Sequence, residues 1–259
     1  MKRGRDCEAG PPWTVDVDQC GGTGMLIRLP GRGGLAMMSM QNRIVSVTLP
    51  PHGGDGLLGL PAAAPRGIVV FAHGSGSSRF SPRNAYVADA LRQAGFATLL
   101  FDLLSNEEAE DRASVFDIAL LAGRLDLAAT WVRDTASGRH LPLGLFGAST
   151  GAAAALVAAA GRDDVSAVVS RGGRPDLADK ALPKVSAATL LIVGGNDPEV
   201  LSLNKAAAQR LHCPHRLEVV PGATHLFEEP GTLEAVVALA QAWFERHLGS
   251  QLAEAAHAV

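Results

Sequence analysis

The sequence predicts an α/β fold, a mainly parallel, doubly wound sheet with helices on both faces. Three observations predict it. Short, continuous apolar runs recur along the chain; helix-spaced stretches alternate with them; and Gly, Pro and Asp punctuate the joins. Apolar runs of this kind mark strands buried on both faces, as parallel strands between two helical layers are.

The first periodic text, Arg43–Leu49, alternates as a half-buried strand does. Pro50–Gly56 reads as a turn and Leu57–Leu60 as the return, so an N-terminal antiparallel hairpin is expected. Gly67–Ala72 is the first fully buried strand. Pro82–Ala94 reads as a helix, with Ser81 as its N-cap, Pro82 at its first position and Gly95 as terminator. Ala97–Phe101 is the next strand. Ser114–Ala136 carries Phe116, Leu120, Leu127 and Trp131 at helix spacing and predicts one long helix. Leu143–Phe146 is a strand, followed by an alanine-dominated helix, Thr150–Ala160, that ends at Gly161. Strands at Ala167–Ser170, Thr189–Val193 and Leu217–Val220 and helices at Leu201–Leu211 and Leu233–Leu248 complete the alternation. No repeat or linker divides residues 43–248, so one domain is expected there. Residues 1–42 read as a peripheral extension and 249–259 as a tail. Met37, Met38 and Met40 lie just before the first strand and offer alternative starts.

Composition narrows the function classes. The chain has 259 residues, 23 Lys plus Arg against 26 Asp plus Glu, and a net charge of −3. That balance excludes a broad basic surface, so neither nucleic acid nor a membrane is an expected partner. A hydrophobic fraction of 47% with 19% charged residues excludes a disordered chain. The longest apolar candidate, Ile118–Val132, is interrupted by Arg124 and Asp126, so no bilayer span is expected. Lys2, Arg3 and Arg5 are followed by no apolar stretch, which argues against a secretory signal. Three cysteines, Cys7, Cys20 and Cys213, do not make a disulfide framework. These features together predict a cytoplasmic protein.

In sheets of this kind, ligands bind beyond the carboxyl ends of the strands. After Leu143–Phe146 comes Gly147-Ala148-Ser149-Thr150-Gly151, then a helix. A serine on a sharp strand-to-helix turn presents its Oγ to the cleft, and close helix–strand approach demands glycine two residues either side. A serine nucleophile needs a base, and the base needs an orienting group. Asp197 follows the strand at 189–193 and His225 the strand at 217–220, giving the order Ser, Asp, His on three successive strands. Asn196-Asp197-Pro198 is also good turn chemistry. The glycine-rich His73-Gly74-Ser75-Gly76, after the first buried strand, supplies an oxyanion site. The backbone N–H of Ser75 and that of Thr150 are the expected donors. His73 reads as a structural histidine that orients this loop. Gly76 allows a rival phosphate-loop reading, but the lysine-bearing motif is missing. Arg171 stands at the same sheet edge and either holds a substrate carboxylate or pairs with Asp176 or Glu228; Arg79 is similar. The acidic run at Glu107, Glu108, Glu110 and Asp111 reads as a solvated helix start. His212-Cys213-Pro214-His215 lacks a second ligand pair, so no metal is expected.

Together, His73-Gly74-Ser75-Gly76, Gly147–Gly151, Gly195-Asn196-Asp197 and Ala223-Thr224-His225 resemble the α/β-hydrolases of the dienelactone-hydrolase-like group, over about residues 43–248. Phe146–Ala155 and Ser170–Asp176 are similar to a bacterial subgroup sometimes fused to a phosphoribosyltransferase, and no such second domain is expected within these residues. The resemblance implies an α/β-hydrolase fold with no metal or organic cofactor. Dienelactone hydrolases carry a cysteine where Ser149 stands, which favours simple carboxylic esters as substrates. Only about eighteen residues separate Ser170 from Thr189, so no large cap is expected there. An open, shallow site with a taste for short acyl groups follows. The same residues leave open a thioesterase, lactonase, perhydrolase or amidase, and a catalytically silent binding module on the same fold.

Overall fold

Strand β1 (Arg43–Leu49) pairs antiparallel with β2 (Gly54–Leu60), from Arg43 opposite Leu60 to Leu49 opposite Gly54. The computed structural model describes residues 43–50, 54–135, 138 and 140–248; the expected extension and tail lie outside them. β2 begins three residues before Leu57, because Gly54 and Gly56 extend the ladder where composition suggested only a turn.

The remaining strands are β3 (Ile68–Ala72), β4 (Ala97–Phe101), β5 (Leu143–Ala148), β6 (Val165–Arg171), β7 (Ala188–Gly194) and β8 (His215–Val220). They form one eight-stranded sheet in the order β1-β2-β4-β3-β5-β6-β7-β8. β2 joins β4 antiparallel, and β4 through β8 pair in parallel. β3, β4, β5 and β7 are buried at every residue, which is why their sequences are unbroken apolar runs.

Helix α1 (Pro82–Gln93) starts as read: the Ser81 side chain accepts from the Asn84 N–H, and Gly95 turns the chain with φ +90°. The one helix expected from Ser114 to Ala136 is instead two, α3 (Arg112–Val115) and α4 (Ile118–Asp134), and a short α2 (Asn106–Glu110) precedes them. Side-chain caps cause the breaks. Asp111 accepts from the N–H groups of Ala113 and Ser114, and Asp117 from that of Leu120, so each begins a new helix. Phe116 falls between α3 and α4 and is about half exposed. α5 (Thr150–Ala160) follows β5, a run of 3-10 turns (Pro175–Lys184) follows β6, and α6 (Pro198–Ala208) and α7 (Thr232–Leu248) close the chain.

Helices α4, α5 and α6 and the 3-10 segment bury one face of the sheet; α1 and α7 bury the other around Phe71, Phe96, Phe146 and Phe244. The small side chains of Ala152–Ala155 let α5 lie close against the strands, and all four are fully buried. Only the 3-10 segment lies between β6 and β7, and no large cap is inserted there. Among the described residues no helix is long and apolar enough to cross a membrane.

Candidate active site

Ser149 sits between β5 and α5 with φ 52° and ψ −119°, a conformation that side chains rarely adopt. Two backbone hydrogen bonds to β6 and the loop after it hold it there, besides the one its carbonyl accepts from the Ala152 N–H. Its N–H donates to the Arg171 carbonyl (3.2 Å), and its own carbonyl accepts from the Arg174 N–H (3.1 Å). The flanking glycines are steric necessities. A Cβ on Gly147 would stand 2.4 Å from Ala152 Cα, and one on Gly151 would stand 2.3 Å from the Ala72 carbonyl oxygen. Both obstacles are backbone that cannot swing away. Gly151→Ala is therefore expected to cost about 1–3 kcal/mol or more, read from chemical denaturation midpoints.

Asp197 lies at the end of the β7 loop, where it caps α6 by accepting from the Val200 N–H (3.4 Å). Its other oxygen accepts from His225 Nδ1 at 2.7 Å. Both sequence readings of Asp197, turn residue and histidine partner, describe the same side chain. The loops after β7 and β8 are knitted together by the Asn196 N–H donating to the Ala223 carbonyl (2.9 Å) and the Gly195 N–H to the Val220 carbonyl (2.8 Å). A carboxylate only accepts, so Nδ1 of His225 carries the proton and Nε2 presents its lone pair. That nitrogen lies 3.3 Å from Ser149 Oγ. The separation is at the long end for a hydrogen bond, as is common in unliganded sites of this kind.

The oxyanion side departs from expectation. Thr150 is the first residue of α5, so its N–H has no partner within the helix. The Ser75 N–H, expected to be open toward a substrate carbonyl, instead donates to the Thr150 hydroxyl at 3.0 Å. To serve as an oxyanion donor, the Ser75 N–H would have to be drawn from a neutral hydroxyl, and a charged acceptor bonds more strongly. The Thr150 side chain is thus a part of the site that a backbone-only reading missed.

His73 has the structural role expected of it. Nδ1 donates to the Gly74 carbonyl (3.0 Å), and Nε2 accepts from the Leu103 N–H (3.1 Å), tying the β3 loop to the end of β4. Burial holds its pKa below the ordinary 6.5, against weaker opposing effects of the Gly74 carbonyl and Asp102. Protonation would destroy the acceptor for Leu103. As pH falls, the unfolded chain takes up this proton first, so the contribution to stability is complete above 6.5 and lost on the acid side. Melting temperature should fall between about pH 7 and 5, and His73→Gln should flatten that fall. His247, also held low by burial and by Arg246, supplies a remainder.

Neither arginine assigned to substrate lies free in the site. Arg79 pairs with Asp102 and with Asp55 (3.1 Å), stacks on the Phe80 ring, and its backbone N–H donates to Asp102 (2.7 Å). Its guanidinium is engaged in tying the β3 loop to the end of β4 and to β2. Arg171 is 7% exposed, donates to Asn84 Oδ1 (3.4 Å), and lies over the Phe227 ring. Its expected alternatives are taken as well, since Asp176 pairs with Arg174 and Glu228 with Arg83. Desolvation, helped by nearby Arg83, lowers the Arg171 pKa to about 10. Arg171 therefore braces α1 against the loop that carries His225. That loop is itself strained, with Phe227 at φ 56°.

A cavity of about 450 Å³ opens beside Thr150 and runs under the β3 loop to Leu121. Helices α2 and α3 wall it through Asn106, Ala109 and Val115. The short β6–β7 connection contributes no lining to it, and neither Ser149 nor His225 lines it. The wall is inserted after β4 instead. Its sequence signal was the capping box, in which the Ser105 side chain accepts from the Glu108 N–H and Glu108 accepts from the Ser105 N–H. Among the described residues no cluster of His, Cys, Asp and Glu could hold a metal ion. Cys213 is a buried thiol donating toward Thr189, its pKa pushed up by burial.

This sheet, with its strained serine turn and the loops that follow β7 and β8, defines an α/β-hydrolase fold. Residues 55–248 match the dienelactone hydrolase family, and the chain belongs to that family. A dienelactone hydrolase from Anabaena variabilis is similar in structure, with 54% identity and a TM-score of 0.77 over 82% of this chain and all of that one. A serine hydrolase without a lid from Xanthomonas campestris shares the fold at 24% identity and a TM-score of 0.64, over 79% of this chain and 95% of that one. A Mycobacterium tuberculosis protein with the provisional name phosphoribosyl transferase is 64% identical over 185 residues, 71% of this chain. The chain spans 42% of that relative's length.

Proposed function

We propose that this hydrolase cleaves small, soluble carboxylic esters through an acyl-enzyme intermediate. The observation that carries the reading is the hydrogen-bonded series Asp197–His225–Ser149, built on a serine held at φ 52°. In the first half-reaction His225 Nε2 takes the Ser149 proton as Oγ bonds to the ester carbonyl carbon. Asp197 fixes the tautomer and steadies the imidazolium. The Thr150 N–H and the Ser75 N–H, released from the Thr150 hydroxyl, hold the oxyanion. The carbon–oxygen bond to the alcohol breaks, and the alcohol leaves with the proton from His225. Water then gives its proton to His225, attacks the acyl carbon, and returns Ser149 and a carboxylic acid.

Lactone opening would use the same steps with the leaving oxygen still tethered, and the similar Anabaena protein is named a dienelactone hydrolase. The serine at position 149, where the sequence resemblance implies a cysteine in true dienelactone hydrolases, favours the ester. The test is turnover of p-nitrophenyl butyrate by the purified chain together with covalent labelling by a fluorophosphonate. Failure of both overturns the proposal.

A further inference from the structure

We propose that the cavity beyond Ser75 and Thr150 takes the acyl group of the ester, and that this group is uncharged and larger than acetyl. The inference rests on the hydrolase reading above and names its substrate class. Sheet order gives the direction. Ser149 follows β5, whereas His225 follows β8 on one side of it. The cavity is lined by loops after β3 and β4 on the other side, together with Thr150. The departing alcohol has to stay within reach of His225 to receive its proton. With the carbonyl oxygen at Ser75 and Thr150, the acyl group is then directed away from His225 and into the cavity.

Its chemistry follows from the walls. Leu103, Leu104, Val115 and Leu121 make an apolar floor, and Ser77 and Asn106 give a polar rim. Asp102 contributes a carboxylate, but both its oxygens are engaged by Arg79. His73 has both ring nitrogens bonded to backbone. Among the described residues, no lining group offers a free cation to an acidic acyl chain. A volume of about 450 Å³ lies within the range of small-molecule pockets and far exceeds what an acetyl group fills. Burying additional methylenes in it favours the longer ester.

The experiment compares p-nitrophenyl acetate, butyrate, hexanoate, benzoate and hemisuccinate. In the wild-type chain, kcat/KM for hexanoate and benzoate should exceed that for acetate at least tenfold, and butyrate should exceed hemisuccinate. Ala109 is exposed on α2 and lines the cavity, so Ala109→Trp should fill it without burdening the core. The hexanoate-to-acetate ratio should then fall toward one. Val115→Phe gives a second test should Ala109→Trp misfold. Glu107→Trp places the same ring on α2 at a position that does not line the cavity, and should keep the wild-type ratio. Acetate turned over as well as hexanoate and benzoate, a preference for hemisuccinate, or a ratio unmoved in both filled variants overturns the acyl assignment while leaving the esterase reading standing. Turnover of none of the esters overturns both.

Discussion

Replacement of Ser149 by alanine is expected to abolish fluorophosphonate labelling and to lower kcat on p-nitrophenyl butyrate by about 10⁶-fold, the scale of losing a serine nucleophile. The change removes one oxygen. The left-handed backbone at position 149 is held by the Arg171 carbonyl and the Arg174 N–H, and neither bond involves the side chain. Folding should therefore persist, with a modest fall in stability from placing alanine at φ 52°. Intact protein mass after labelling distinguishes the outcomes. An adduct retained in the alanine variant would move the nucleophile to another residue.

The second large effect is expected at Asp197, where asparagine should lower kcat by about 10⁴-fold. The argument turns on proton placement. Asparagine can still accept from the Val200 N–H, so the cap of α6 survives and the melting temperature should hardly move. Its amide can also donate to His225 Nδ1, which drives the ring proton to Nε2 and points an N–H at Ser149 where a lone pair is required. Asp197→Ala loses both duties and should fall in stability by about 1 kcal/mol as well as in rate. Equal stability loss in the asparagine and alanine variants would show that the cap contributes nothing.

The strand positions and the order of Ser149, Asp197 and His225 were legible because unbroken apolar runs mark buried strands and the residues after them mark the sheet edge. The glycines at 147 and 151 were legible for a steric reason that the contacts with Ala152 and Ala72 bear out. The break between α3 and α4 was not foreseen, because helix periodicity across Ser114–Ala136 outweighed the cap at Asp117, and the acidic run before it read as a solvated helix start with no sign that it walls a cavity. Asp117 overrides the periodicity by satisfying the Leu120 N–H that a continuous helix would have bonded itself, and Asp111 likewise caps α3 just before it. The fates of Arg79 and Arg171 could not be read either. Their partners, Asp102 and Asp55 in one case and Asn84 and Phe227 in the other, are distant in sequence or on other elements. The Ser75–Thr150 bond spans 75 positions and is likewise a product of packing alone.

The position of His225 beyond β8 has a consequence for timing. β8 is the last strand among the described residues and sits at the margin of the sheet, bonded to β7 alone. A chain emerging from the ribosome can shape its serine turn on β3, β5 and β6 while the imidazole is still unsynthesised or undocked. With the proposed triad, hydrolytic competence arises only when the final strand zips into place, a half-made or frayed molecule stays chemically mute, and onset of turnover during refolding becomes a clock for closure of that margin.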